Sequence, residues 1–264
     1  MLRGLFTAAA GMSGMSFEVD NIANNLANVN TFGYKRTRVD FQDLLYQTIR
    51  PAGTSVATGV QVPAGIQVGH GVRVAGTRRI FTEGSYRSTE NPLDLAILGK
   101  NGFFQVELPD GTLAYTRDGA FSMDETGRIV TSDGYVLQPP ITLPDDTVAL
   151  NISEEGIVSV IQGRVTETPN ELGTIQLATF VNPAGLHADG NNLFLETQAS
   201  GPVTLLDPGT DGAGKIAQGF LENSNVNIAE ELVNLITAQR AFEVNSRAVR
   251  SSDSMLQTAV NLAQ

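Results

Sequence analysis

The sequence contains no cysteine and no tryptophan, and only two histidines, His70 and His187. Without cysteine there is no disulfide framework and no thiolate metal site, and redox logic assigns no compartment. Two histidines so far apart argue against a histidine metal centre. Long apolar runs are missing too: no stretch of about 18 apolar residues occurs, so no segment reads as a membrane-spanning helix. Positive charge is scarce, with Lys+Arg 17 against Asp+Glu 28 and a net charge of −11. That balance argues against a nucleic-acid or anionic-membrane binder. A chain of 264 residues can still bury a substantial core, as one large domain or two small ones.

What the sequence does have begins at its N-terminus. MLRGLFTAAAGM superficially resembles a secretory leader with a small-residue cleavage site at Ala8-Ala9-Ala10. Periodicity argues otherwise. Leu5, Ala8, Met12, Met15, Val19, Ile22, Leu26 and Val29 keep an unbroken 3-4 spacing through that site. As a helix, this run of about 28 residues measures on the order of 42 Å. Asn21, Asn24, Asn25, Asn28 and Asn30 fall off the seam, and Arg3, Glu18 and Asp20 are the only charges up to Asn30. An amide face of this kind can approach other protein and hydrogen-bond without desolvating a full charge. The plainer reading is an amphipathic helix in a local core.

A second helix is expected from Asn227 onward, opened by Asn-Ile-Ala-Glu, a cap followed by an acid in the first turn. Ile228, Leu235, Phe242, Val249, Leu256 and Ala263 recur every seven residues along it, reinforced by Leu232, Ile236 and Val260. Two heptad helices at opposite ends of one chain suggest that the termini meet each other and neighbouring copies. Between them, Pro109-Asp110-Gly111, Arg117-Asp118-Gly119, Glu125-Thr126-Gly127 and Ser132-Asp133-Gly134 punctuate the chain. FFQVEL, LAYTR, FSMDE, RIVTS, TIQLATFV and NLFLE are the candidate strands. The fold class is therefore α+β: terminal heptad helices forming a coiled-coil domain (residues 1–32 with 225–264), a linker (33–75), and an inserted, mainly antiparallel β body (76–224). In the linker, Phe41, Leu44, Leu45 and Ile49 share one face of a short expected helix that Pro51 ends. The valine-rich run after it is expected to be extended or hairpin-like, turning at Pro63-Ala64-Gly65.

A search for chemistry yields no nucleophile. Asp124-Glu125, Asp145-Asp146 and Glu154-Glu155 are adjacent acids at turns, and neighbours on a strand point to opposite faces instead of converging on a cleft. No Gly-x-Ser-x-Gly elbow and no phosphate-cradling loop is present. The basic cluster Tyr34-Lys35-Arg36-Thr37-Arg38 is expected to pair with carboxylates of this chain or of a neighbouring copy.

ANNLANVNTFGYK (Ala23 to Lys35), DLLYQTIRPAGT, GFFQVELPDGTLAYTRDGAF and SNVNIAEELVNLITAQRAFEVNSRAV together resemble the flagellar rod and hook axial family, nearest to its distal-rod branch. Phe32 departs from the small or polar residue common before that glycine. The resemblance implies a structural subunit with no enzymatic activity and no cofactor, located in the basal body, towards the outer membrane in the periplasm. It further implies that such a subunit leaves the cell through the flagellar type III export apparatus without leader cleavage and polymerises with itself into a helical tube. Its other partners would be proximal-rod and hook axial proteins and the peptidoglycan and outer-membrane rings, with no nucleic acid. The tube would carry motor torque to the hook.

On this reading Leu5, Met12, Met15, Val19, Ile22, Asn24, Asn25, Leu26, Asn28, Val29, Ile228, Leu235, Phe242, Val249 and Leu256 form the coiled-coil and inter-subunit interface. Gly33 ends the first helix, and Phe41 with Leu45 matches the Phe-x-x-x-apolar pattern of export-gate recognition. Much of the −11 is expected on the β body. The remaining alternatives are a hook or proximal-rod subunit of the same family, or, in another class, a periplasmic β-rich enzyme.

Overall fold

The computed structural model describes residues 2–53, 55–57, 60–61, 63–163, 169–210 and 212–262. The chain divides into two compact units. One comprises residues 1–26, 37–78 and 227–264, the other residues 27–36 and 79–226.

In the first unit, helix α1 spans Leu2–Ala27 and helix α2 spans Ile228–Leu262. The start of α2 follows from its cap: the Asn227 side-chain oxygen accepts the main-chain N–H groups of Ala229 at 3.0 Å and Glu230 at 3.4 Å. Such a cap is worth about 0.5–2 kcal/mol. Gly11 of α1 lies against Asn245 of α2, and Glu18 lies near Glu231, so the helices run antiparallel. Strand Thr37–Asp43 pairs with Val72–Arg79, and Tyr46–Arg50 pairs antiparallel with Ile66–Gly69, so the strand Ile66–Gly69 of the valine-rich run is extended as expected but takes its partner from before Pro51. The bend at Pro63-Ala64 precedes the second of these strands.

Two expectations need correction. Residues 40–49 form no helix; they belong to strands Thr37–Asp43 and Tyr46–Arg50. So short an apolar run fits either period, and here β partners are available to complete the main-chain hydrogen bonds, which tips it to strand. Helix α1 also stops at Ala27, two residues short of Val29. Its end is taken over by an asparagine-centred turn, in which Thr31 donates from its main-chain N–H to the Asn28 carbonyl (3.2 Å) and from its hydroxyl to the Asn28 side-chain oxygen (3.2 Å).

The second unit is the β body. Its largest sheet has nine strands, among them Gly102–Glu107, Leu113–Thr116, Phe121–Met123, Ile129–Thr131 and Leu193–Leu195, which cover five of the candidate strands. All the pairings are antiparallel. Strand Gly102–Glu107 is buried on both faces, and alternation sends its neighbouring aromatics apart. Phe104 and Val106 join a large aliphatic core with Leu95, Ile97, Phe121, Ile175 and Leu177. Phe103 joins an aromatic cluster with Tyr115, Phe180 and Phe194 on the opposite side. Its rings meet edge to face, as with Tyr115 and Phe180, whose centroids are 4.8 Å apart at 82°.

Candidate functional site

Among the described residues, no group of three or more His, Cys, Asp or Glu side chains is placed to hold a metal ion, and no helix is long and apolar enough to cross a membrane. The adjacent acids serve local structure. The Asp124 carboxylate accepts the main-chain N–H groups of Thr126 and Arg128, and Glu154 pairs with Lys215 at 2.7 Å. The remaining candidate features are the helix faces and the buried polar clusters.

On α1 the seam is inward: Ala8 and Ile22 are buried, and Leu5, Met12, Met15, Val19 and Leu26 are half-buried. Val29 and Asn28, both half-buried, lie past the helix end. On α2, Leu235, Val249 and Leu256 are half-buried, whereas Ile228 and Phe242 are exposed. A companion stripe was not anticipated: Glu231, Ala238, Asn245 and Ser252, also seven apart, are buried or half-buried. Its small and polar residues let the helices approach. A Cβ added at Gly11 would stand 2.9 Å from the Asn245 side-chain nitrogen. The signal was a seven-residue repeat without hydrophobicity, which a search for apolar stripes passes over. Glu18 is a strained member of this contact. Burial, and then the charge of Glu231, push its carboxyl above the ordinary range.

Outside the seams, Phe6 and Phe17 of α1 are exposed, as are Val233, Val244 and Met255 of α2. An eleven-residue spacing, as in the latter three, runs almost parallel to a straight helix axis. Each helix thus carries apolar surface beyond what its own chain covers.

The asparagine face is used partly inside the chain. The Asn25 side chain donates to the Thr37 carbonyl (2.9 Å) and accepts the Thr37 main-chain N–H (2.9 Å), while Asn21 donates to the same carbonyl at 3.0 Å. Asn25 is only 1 % exposed, so its assignment to a contact with another copy is corrected: it fastens strand Thr37–Asp43 to α1. Asn24 is exposed. Gly33 has a positive φ of 67°, six residues after the helix ends, so it shapes the following turn and does not terminate α1. A Cβ there would come within 2.6 Å of the Arg117 and Asp118 main chain. The ring of Phe41 packs on Gly14, where an added Cβ would touch it at 3.2 Å; Leu45 is 90 % exposed.

The β body hides an ionic cluster. Lys35 Nζ lies 2.6 Å from Glu222 Oε1 and donates to the Thr82 carbonyl at 2.8 Å. Arg117 Nε lies 3.2 Å from Glu222 Oε2, and its two terminal nitrogens donate to the Gly102 (2.7 Å) and Gly99 (2.6 Å) carbonyls. The three side chains are shut away from solvent, with two cations for one carboxylate. Burial, and then Arg117, lower the Lys35 ammonium below its usual value. Tyr86 beside them is pushed up to about 12 by burial and by the charges of Glu222 and Glu83. Removing one partner from a buried pair of this type costs about 3–5 kcal/mol. Lys35 and Arg38 of the basic cluster both meet acids of this chain, Arg38 pairing with Asp40 at 2.9 Å.

Charge divides sharply between the units. The helical unit carries 8 acidic and 8 basic residues, leaving 20 of the 28 acidic and 9 of the 17 basic residues on the β body, whose balance is −11.

Comparison with known proteins gives a consistent set of similarities. Three family models match: "Flagella basal body rod protein" over residues 5–35, "Flagellar hook protein FlgE/F/G D1 domain" over 96–160, and "Flagellar basal body rod FlgEFG protein C-terminal" over 217–262. The flagellar basal-body rod protein FlgG of Borreliella burgdorferi is 51 % identical over 99 % of both chains. Its namesakes in Caulobacter vibrioides and Bacillus subtilis are 49 % and 40 % identical, again over 99 % of both chains.

Proposed function

This chain belongs to the flagellar basal-body rod protein family, whose members are structural and not catalytic, and we propose that it is the subunit of the distal rod. It polymerises with itself into a helical tube, joins the proximal rod on one side and the hook on the other, and carries motor torque inside the peptidoglycan and outer-membrane rings. The observation that carries this reading is the helical unit itself: charge-balanced, with a partly buried inner seam and exposed apolar residues on both helices. Such a surface suits close packing between copies. Leu5, Met12, Met15, Val19, Ile22 and Leu26 with Leu235, Val249 and Leu256 form the coiled-coil seam, while Asn24, Ile228 and Phe242 face neighbours. Contacts that repeat without closing into a ring generate a helical filament. Many packed side chains resist slippage better than screened ion pairs.

The β body, bearing the whole net charge, forms the hydrated outer layer that turns within the rings without adhering to them. The subunit acts in the periplasm and arrives there through the flagellar type III apparatus. Ala8 is buried on the α1 seam, which supports keeping the N-terminal segment in the working protein. Labelling this chain in isolated basal bodies tests the assignment: signal is expected on the shaft between the proximal rod and the hook, and signal confined to the hook would overturn it. Phe41 and Leu45 act in the unfolded chain as the export-gate signal. Replacing both with alanine should lower secretion of unassembled subunit severalfold, and unchanged secretion of a soluble double variant would sink that role.

A further inference from the structure

We propose that Lys35, Glu222 and Arg117, together with Asn225, form a mechanical clasp at the neck of the β body. The chain crosses into and out of this unit at residues 26/27, 36/37, 78/79 and 226/227. Three of those crossing segments are sewn together next to the crossings. Arg36 donates its main-chain N–H to the Asn225 side-chain oxygen at 2.7 Å, and its carbonyl accepts the Ile80 N–H at 3.0 Å. The Asn225 amide nitrogen returns to the Ile80 carbonyl at 2.7 Å and to the Thr82 hydroxyl at 3.0 Å.

One step further inside, Glu222 gathers the same segments. Its main-chain carbonyl accepts the Gly33 N–H at 2.8 Å, and its Oε1 accepts both the Gly84 N–H (2.9 Å) and the Lys35 ammonium. Arg117 then anchors Glu222 to the main sheet through the Gly99 and Gly102 carbonyls. A pull on residue 36 or 226 must therefore break charge-assisted bonds in a dry site before it reaches the sheet. The Lys35–Glu222 bond is short and directional, the Arg117–Glu222 contact is an ion pair, and the side chains are shut away from bulk solvent. Lys35 and Glu222 are 187 residues apart in sequence, so the clasp closes only when both ends of the β body are in place. Its purpose, carrying load into the outer layer, rests on the torque reading above, but its existence does not.

Single-molecule pulling on the full chain tests it. The sequence has no cysteine, so two introduced cysteines are unique handles. Handles at Arg38→Cys and Asp110→Cys load the neck; handles at Asp110→Cys and Asp145→Cys load only the body. In a Glu222→Gln chain the rupture force should be roughly halved in the neck geometry and unchanged in the body geometry. A merely structural role would lower both equally, and that result, or no change in either, overturns the clasp. Should Glu222→Gln fail to fold, the Lys35→Met/Arg117→Met/Glu222→Leu triple, which leaves none of the three charges orphaned, is expected to fold and to show the same selective loss at the neck. Absence of the protein from the shaft of basal bodies would remove the torque reading and leave the clasp standing.

Discussion

At the scale of single residues, the asparagine-rich stretch that spans the end of α1 is amide with almost no charge. Amide without charge implies that these side chains meet protein, and Asn25 does, but its partner is Thr37 of the same chain. That pairing depends on the turn through residues 28–36, whose geometry no periodicity encodes. Replacing Asn25 with alanine strips the half-buried Thr37 N–H of its side-chain acceptor and leaves the Thr37 carbonyl to Asn21 alone, and should cost about 1–3 kcal/mol of unfolding free energy. Urea denaturation of the monomer measures it. Asn30→Ala, at an exposed site, should stay within about 0.5 kcal/mol. Equal effects at both sites would refute the distinction. The same limit applies to Lys35, since a basic cluster in an acidic chain calls for carboxylate partners, whereas the choice of Glu222 could be made only by the fold that brings the two together.

At the scale of elements, long periodic runs were the readable ones. Both helices, the cap at Asn227 and most strands of the β body follow from spacing, turn residues and β-branched content, because each signal is local. The segment 40–49 was not readable, because its outcome depends on partners at residues 66–79. The α2 stripe of Glu231, Ala238, Asn245 and Ser252 was equally silent. It makes the helix pair sensitive to pH. The Glu18 carboxyl titrates above its ordinary value of 4.5, so the folded chain holds that proton more tightly than the unfolded one. Its favourable contribution is complete below pH 4.5 and is lost as pH rises through the folded value, where a charged Glu18 comes to face Glu231. A Glu18→Gln chain should therefore melt at higher temperature than the natural one at pH 7, with the difference shrinking towards pH 4. Helical circular dichroism during melting follows this, and a gain of the same size at both pH values would show that charge is not its source.

At the scale of the whole molecule, the partition of charge sets how copies meet. With a balanced helical unit and a β body carrying −11, the polymer proposed above would bring like-charged bodies together while its attractive contacts are uncharged. Screening then favours assembly. The Debye length falls from about 30 Å at 0.01 M salt to about 8 Å at 0.15 M. Over that range repulsion between neighbouring bodies fades, while packing of Phe6, Val233, Val244 and Met255 is not weakened. The concentration of free subunit left beside polymer should accordingly drop as salt is raised across this interval and level off above it. Sedimentation of polymer from monomer measures that residue directly. Neutralising exposed turn acids of the β body, Asp145→Asn with Asp146→Asn, should lower it at 0.01 M salt and flatten the dependence, because less repulsion remains to be screened. Were copies held instead by ion pairs between basic and acidic surfaces, salt would dissolve the polymer and the same substitutions would weaken it. The sign of the salt effect thus separates a tube glued by neutral helices from one glued by charge.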